Sequence, residues 1–200
     1  MLDSIDRALS FALAKSESLS LVAVRIGGIA LFFAALMVVV DVVLRRFSSV
    51  TLGGADEISS YAFAVSISWG LSLALLRRSH IRVDFLYVLL PLKARAILDA
   101  VDSLSLAVLA FLLTRWGGMT VMESWRFGAT SNSNIVVPLW LPQGIWVVGF
   151  AFFLVVCILI FLKCVVLLLQ GKDQEAHQVF GILSVQEEAE VESKEALQAL

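Results

Sequence analysis

The sequence predicts an all-α integral membrane protein with four transmembrane helices and with both termini in the cytoplasm. Of the 200 residues, 60% are hydrophobic and only 16% are charged, and a soluble domain of this length cannot bury that much apolar surface. The apolar residues fall into four runs, each close to the ~20 residues that a helix needs to cross a bilayer. The basic residues gather mainly on one side of those runs, which predicts the orientation.

The four runs define a predicted membrane domain of residues 19–169. The second run is nineteen residues without a charge, and small side chains recur in it, which permits close approach between helices. The third run is the least regular because charged residues lie near both of its ends. A long, tilted helix would accommodate those charges. The predicted spans are residues 19–44, 58–76, 96–122 and 142–169.

Two segments outside the spans are predicted to lie along the membrane surface as amphipathic helices. Residues 1–18 place most of their large apolar side chains near one helical face. The linker of residues 77–95 mixes apolar side chains with five basic ones, so it is also expected at the level of the lipid headgroups. Residues 170–200 are rich in acidic side chains and are expected to form a cytoplasmic tail.

The positions of Lys and Arg predict which loops face the cytoplasm. Eleven of the fifteen lie in the N-terminal part, in the 77–95 linker or on the C-terminal side. Basic residues concentrate on the cytoplasmic side of membrane proteins, so the loops of residues 45–57 and 123–141 are expected to face outward. Four of the five tryptophans surround the second of these loops, as in an aromatic belt: Trp116, Trp125, Trp140 and Trp146.

Acidic residues near the span ends have two interpretations each. Asp41 is one helical turn from Arg45, so it can form an ion pair there or act as a carboxylate in an ion relay. Its position at the end of a span favours the ion pair. Asp99 and Asp102 share a helical face beside the basic linker. That position favours salt bridges to Arg95 and its neighbours over a proton or cation site.

The sequence shows no pattern typical of an enzyme. Its two histidines, His80 and His177, lie outside the spans, so haem ligation inside the bilayer is not expected. No nucleophile, metal or nucleotide motif is recognisable. Cys157 and Cys164 share a helical face about 10 Å apart, too far for a disulfide, and are expected to be packing residues. We therefore expect no catalytic residue, metal site or cofactor in this chain.

The polarity of the residues at the centres of the spans distinguishes two hypotheses of function. A transporter that works alone needs polar groups or broken helices at the middle of the bilayer. The centres of these spans are almost wholly apolar, which favours a subunit that packs against a membrane partner. A standalone four-span transporter or channel is the alternative hypothesis.

The sequence resembles a known family at residues in the second span, the linker and the second outward loop. The linker reads RRSHIRVD, and the loop reads SWRFGATSNSNIVVPLWLPQG. The residues concerned are Glu57, Tyr61, Trp69, His80, Arg82, Asp84, Gly128, Ser131, Pro138 and Trp140. Over about residues 20 to 165, the sequence resembles the small permease subunit, DctQ-like, of tripartite ATP-independent periplasmic (TRAP) transporters.

The resemblance implies a scaffold in the bacterial inner membrane. In that family a large multispan subunit carries substrate and sodium, and a periplasmic binding protein delivers an organic acid. The expected partners are therefore these two proteins and membrane lipids, with no nucleic acid and no substrate-binding residue in this chain. The motif residues are expected to be structural or to contact a partner. Arg82 and Asp84 are expected to pin the linker to the membrane surface or to the partner.

The outward loops are expected to help dock the binding protein. They hold the four basic residues that are not on the cytoplasmic side. Opposite charges across an interface speed association and fix its register. The candidates for this electrostatic contact are Arg45, Arg46, Arg115 and Arg126.

Overall fold

The computed structural model describes residues 2–48, 50–77, 91–133, 135–172 and 175. These residues form four helices, each long and apolar enough to cross a membrane. This confirms the predicted all-α class with four spans. The helices are α1 (Leu2–Ser48), α2 (Ala55–Leu76), α3 (Leu92–Arg126) and α4 (Trp140–Leu169).

α1 is a single helix of 47 residues without a break. At the α-helical rise it is about 70 Å long, more than twice the ~30 Å hydrocarbon core of a bilayer. Its serines do not interrupt it, because their hydroxyls bond back to the carbonyls one turn earlier: Ser18 to Ala14 at 3.2 Å and Ser20 to Ser16 at 2.8 Å. Residues 2–18 are therefore the first part of the same helix that contains the first span.

The four helices pack as an open layer in the order α1, α2, α4, α3. α1 packs along α2, α2 packs against α4, and α4 packs against α3. The N-terminal part of α1 also reaches α4. Within the described part of the chain, α1 and α3 share no extensive contact. The layer therefore does not close around a central space.

The interface between α3 and α4 forms the main core. α3 presents small side chains there, Ala107 and Ala110, and α4 presents larger ones, including Phe153. Cys157 and Cys164 are fully buried in this cluster and form no disulfide with each other. Their predicted role as packing residues is confirmed.

The contacts of α2 depend on small side chains, as its sequence predicts. On one side, the Ser66 hydroxyl donates a hydrogen bond to the Gly27 carbonyl of α1 at 3.1 Å. On the other side, a Cβ on Gly149 of α4 would lie 2.9 Å from both the Ser68 Cβ and Trp69 Cδ1. α2 is thus in close contact with a neighbour on each side, and the prediction of close helix approach is confirmed.

Polar contacts fasten the start of α1 to the end of α4. Lys163 Nζ donates a hydrogen bond to Ser10 Oγ at 2.5 Å and lies 3.7 Å from Asp6 Oδ1. Further along, Gln170 Nε2 donates to Asp3 Oδ1 at 3.3 Å. The start of α1 and the end of α4 therefore lie at the same end of the layer. That this end faces the cytoplasm stays a prediction.

Candidate partner-docking surface

The opposite end of the layer, here called the loop end, carries the loops of residues 50–54 and 127–139. Asp41 of α1 holds the first loop. Its carboxylate forms an ion pair with Arg45 and accepts hydrogen bonds from Thr51 Oγ1 at 2.9 Å and from the Leu52 amide at 2.6 Å. Asp41 is only 2% exposed. The predicted ion pair is confirmed, and the carboxylate ties the loop to α1.

Ser131 organises the second loop. The Ser131 amide donates to the Val137 carbonyl at 2.9 Å, and the Leu139 amide donates to the Ala129 carbonyl at 3.0 Å. The Ser131 hydroxyl donates to the Ile135 carbonyl at 2.6 Å and accepts from the Val137 amide at 3.2 Å. One side chain on the outgoing arm thus satisfies two backbone groups on the returning arm, so the loop has a defined shape.

The ends of this loop are closed by two further contacts. Gly128 takes a φ of +56°, a left-handed conformation that favours glycine, and lets the chain turn directly after α3. Thr130 then pairs with Pro138 in an isolated antiparallel bridge. The rings of Trp125 and Trp140 meet edge to face with centroids 4.7 Å apart. These contacts hold the end of α3 beside the start of α4.

Glu57, in the first turn of α2, lies beside the second loop. Its carboxylate accepts a hydrogen bond from the Tyr61 hydroxyl. The side chains of Ser133 and Ser131 in the second loop lie beside this carboxylate, and both hydroxyls donate to the Ile135 carbonyl. Two motif residues that are distant in the sequence, Glu57 and Ser131, are therefore neighbours in the structure.

A close approach between the loops lies beside Glu57. Gly54 precedes α2 with a φ of +146°. A Cβ at this position would lie 2.6 Å from Cδ1 of Ile135 in the second loop. Both the backbone angle and the lack of space therefore favour glycine here. The two loops form one continuous surface at the loop end.

Trp69 has a structural role in the interior of the layer. Its indole Nε1 donates a hydrogen bond to the Ile145 carbonyl of α4 at 3.2 Å. Its ring stacks on Phe152 with centroids 5.7 Å apart. Trp69 thus joins α2 to α4, away from the loop end.

The four predicted docking arginines do not share one surface. Arg45 is paired with Asp41, and all four arginines are exposed. Arg46 is near the end of α1, and Arg126 is the last residue of α3, so both lie at the loop end. Arg115 is eleven residues earlier in α3, about 16 Å away from Arg126 along the helix.

Comparison with known protein families decides the class of this chain. The family model described as tripartite ATP-independent periplasmic transporters, DctQ component, matches residues 34–167. The chain belongs to the DctQ family. The match covers both loops of the loop end, and it confirms the resemblance noted from the motifs. No curated protein and no solved structure is detectably similar to the chain. This DctQ protein is thus a small membrane component of a TRAP transporter.

Three motif residues of this DctQ protein, His80, Arg82 and Asp84, lie outside the described residues. Their expected role in pinning the linker stays a prediction. Asp99, which follows the linker, is almost fully buried in the layer. Its pairing with Arg95 also stays a prediction.

Proposed function

We propose that this DctQ protein is a scaffold for a large multispan permease subunit. That subunit imports an organic acid together with sodium, and a periplasmic binding protein delivers the acid. The observation that carries the proposal is the open layer, in which α1 and α3 have no extensive mutual contact among the described residues. A translocation path needs polar groups around a lumen or broken helices at the bilayer midplane. An open layer instead offers broad faces to another membrane protein.

The outer helices supply those faces. Large apolar side chains are exposed along the length of α1 and along α3. In a membrane such faces contact lipid or a neighbouring helix, and packing against a neighbour is driven by close fit rather than by water. The exposed large apolar side chains on α1 and α3 include Ile26, Ile29, Phe32, Phe33, Val101, Val108 and Trp116.

We expect affinity purification of this chain from its native membrane to recover a larger multispan protein in stoichiometric amount. The pair, reconstituted in vesicles with the binding protein and a sodium gradient, should accumulate an organic acid. Vesicles lacking this chain should lose uptake, because the larger subunit is then without its support. Full uptake by the larger subunit alone would contradict the scaffold role. Flux from the purified chain alone would support the standalone transporter instead.

The loop end supports a docking role for the binding protein. Arg126 is exposed, and the next residue, Phe127, is 84% exposed. Val136, in the same loop, is 70% exposed. Arginine and aromatic residues are enriched among the side chains that dominate binding at protein interfaces. The fixed shape of the loop reduces the entropy lost when it binds.

We expect the substitution Arg126→Glu to raise the half-saturating concentration of binding protein in uptake about fivefold, because it reverses a charge that attracts the partner. The effect should shrink as salt is added, since salt screens exposed charges. Arg7→Glu is the matched control, because Arg7 is an exposed arginine at the other end of the layer. Equal responses of the two variants would exclude Arg126 from the docking surface.

A further inference from the structure

A sideways-open groove of about 340 Å³ lies between α1 and α2. Small side chains on both helices create it, including Ala23 and Ala30 of α1 and Ala62 of α2. Ile145 of α4 also lines it, and the walls are otherwise apolar apart from one serine and the Trp69 indole, whose N–H is bonded to the Ile145 carbonyl. That serine, Ser66, already donates its hydroxyl hydrogen to the Gly27 carbonyl. The groove therefore offers an occupant apolar contact and no unsatisfied hydrogen-bond donor.

We propose that this groove binds an acyl chain of an anionic phospholipid whose phosphate lies against Lys15. The α1 wall of the groove extends from Leu19 to Ala30. At the helical rise this is about 16 Å, which is half of the ~30 Å hydrocarbon core and hence the depth of one leaflet. A single acyl chain has the length and the chemistry to fill it.

The charge at one end of the groove identifies the headgroup. Lys15 is exposed and precedes Leu19, Val22 and Ile26 by four, seven and eleven residues, so it lies on the groove flank of α1. Its neighbour Glu17 is two residues away and falls on the opposite side of the helix. Residues 15–18 are polar, whereas the groove begins at residue 19. The cation is thus placed just beyond the end of the groove, at the level of a lipid phosphate.

The assignment can be tested by native mass spectrometry of the full chain with its co-purifying partners. After lipid removal, the protein is titrated with phosphatidylglycerol or phosphatidylcholine. We expect one tightly retained phosphatidylglycerol. Lys15→Gln should weaken its binding about fivefold, the worth of one cation near a lipid surface, and should weaken phosphatidylcholine binding less, because the choline cation offsets the charge of that phosphate. Lys172→Gln, an exposed lysine away from the groove, should alter neither.

The groove itself is tested by filling it. Ala30→Phe should reduce binding of both lipids about tenfold, because the ring occupies the space of the chain. Ala35→Phe is the control, since Ala35 is also exposed on α1 but faces away from the groove. Equal lipid binding by these two variants would overturn the proposal. Capture of a protein rather than a lipid by a photoreactive residue at Val22 would overturn it as well.

Discussion

Replacing Gly149 with alanine should force α2 away from α4 and destabilise the chain by about 1–3 kcal/mol, the usual cost of overpacking. The added Cβ would lie 2.9 Å from Trp69 Cδ1 and from the Ser68 Cβ, closer than atoms in a packed interface normally approach. Trp69 cannot move aside easily, because its indole is bonded to the Ile145 carbonyl and its ring is stacked on Phe152. The clash therefore separates the helices.

Gly144→Ala provides the matched control for this prediction. Gly144 belongs to the same helix, but a Cβ there would meet nothing within 4 Å. Alanine is favoured over glycine in a helix by up to ~1 kcal/mol, so Gly144→Ala should be neutral or stabilising. Denaturant titration of both variants in the same detergent measures the difference. Similar free energies of unfolding for both would contradict the close packing at Gly149.

Replacing Glu57 with alanine should reduce uptake about tenfold at a fixed, low concentration of binding protein. Without Glu57 the docking loop must be positioned when the binding protein binds, and this ordering lowers the affinity. The substitution removes the acceptor for the Tyr61 hydroxyl. It also removes the carboxylate that lies beside Ser131 and Ser133. The 127–139 loop then keeps its internal hydrogen bonds but loses the neighbouring carboxylate at the start of α2. The helix contacts, which do not involve Glu57, should persist.

Asp56→Ala separates this effect from a general change of charge at the start of α2. Asp56 is in the same helical turn and is exposed, so its removal should leave uptake close to that of the wild type. The yield of purified complex should be unchanged in both variants. A loss of complex with Glu57→Ala would mean that Glu57 supports assembly rather than the loop. Equal uptake by the two variants would refute the link between the loops.

The number of helices could be predicted from the sequence, but their neighbours could not. Four apolar runs are visible because lipid requires them. The order α1, α2, α4, α3 has no comparable signal, because a helix that is apolar on all sides carries no periodicity that marks its buried face. The sequence also did not predict that α1 is one unbroken helix. Polar residues such as Ser18 suggest a boundary, yet its hydroxyl bonds within the helix at 3.2 Å.

The loop end shows the same division between local and distant contacts. The pairing of Asp41 with Arg45 follows from their helical spacing and was predictable. The bonds from Thr51 and Leu52 to Asp41 were not predicted, because they depend on the path of the loop. Small and polar residues in the second loop indicated a turn. They did not indicate that Glu57 would be its neighbour, since turn chemistry specifies local geometry alone.

The open layer also affects how long the subunit survives in the cell. In the most apolar 18-residue stretch of each helix, the share of buried residues ranges from 11% in α1 to 33% in α4. A chain with so little interior gains much of its stability from what covers its faces, because any species that binds the folded state stabilises it by mass action. Copies with uncovered faces unfold more often and are degraded sooner. The abundance of this subunit should therefore follow the supply of the molecules that cover it.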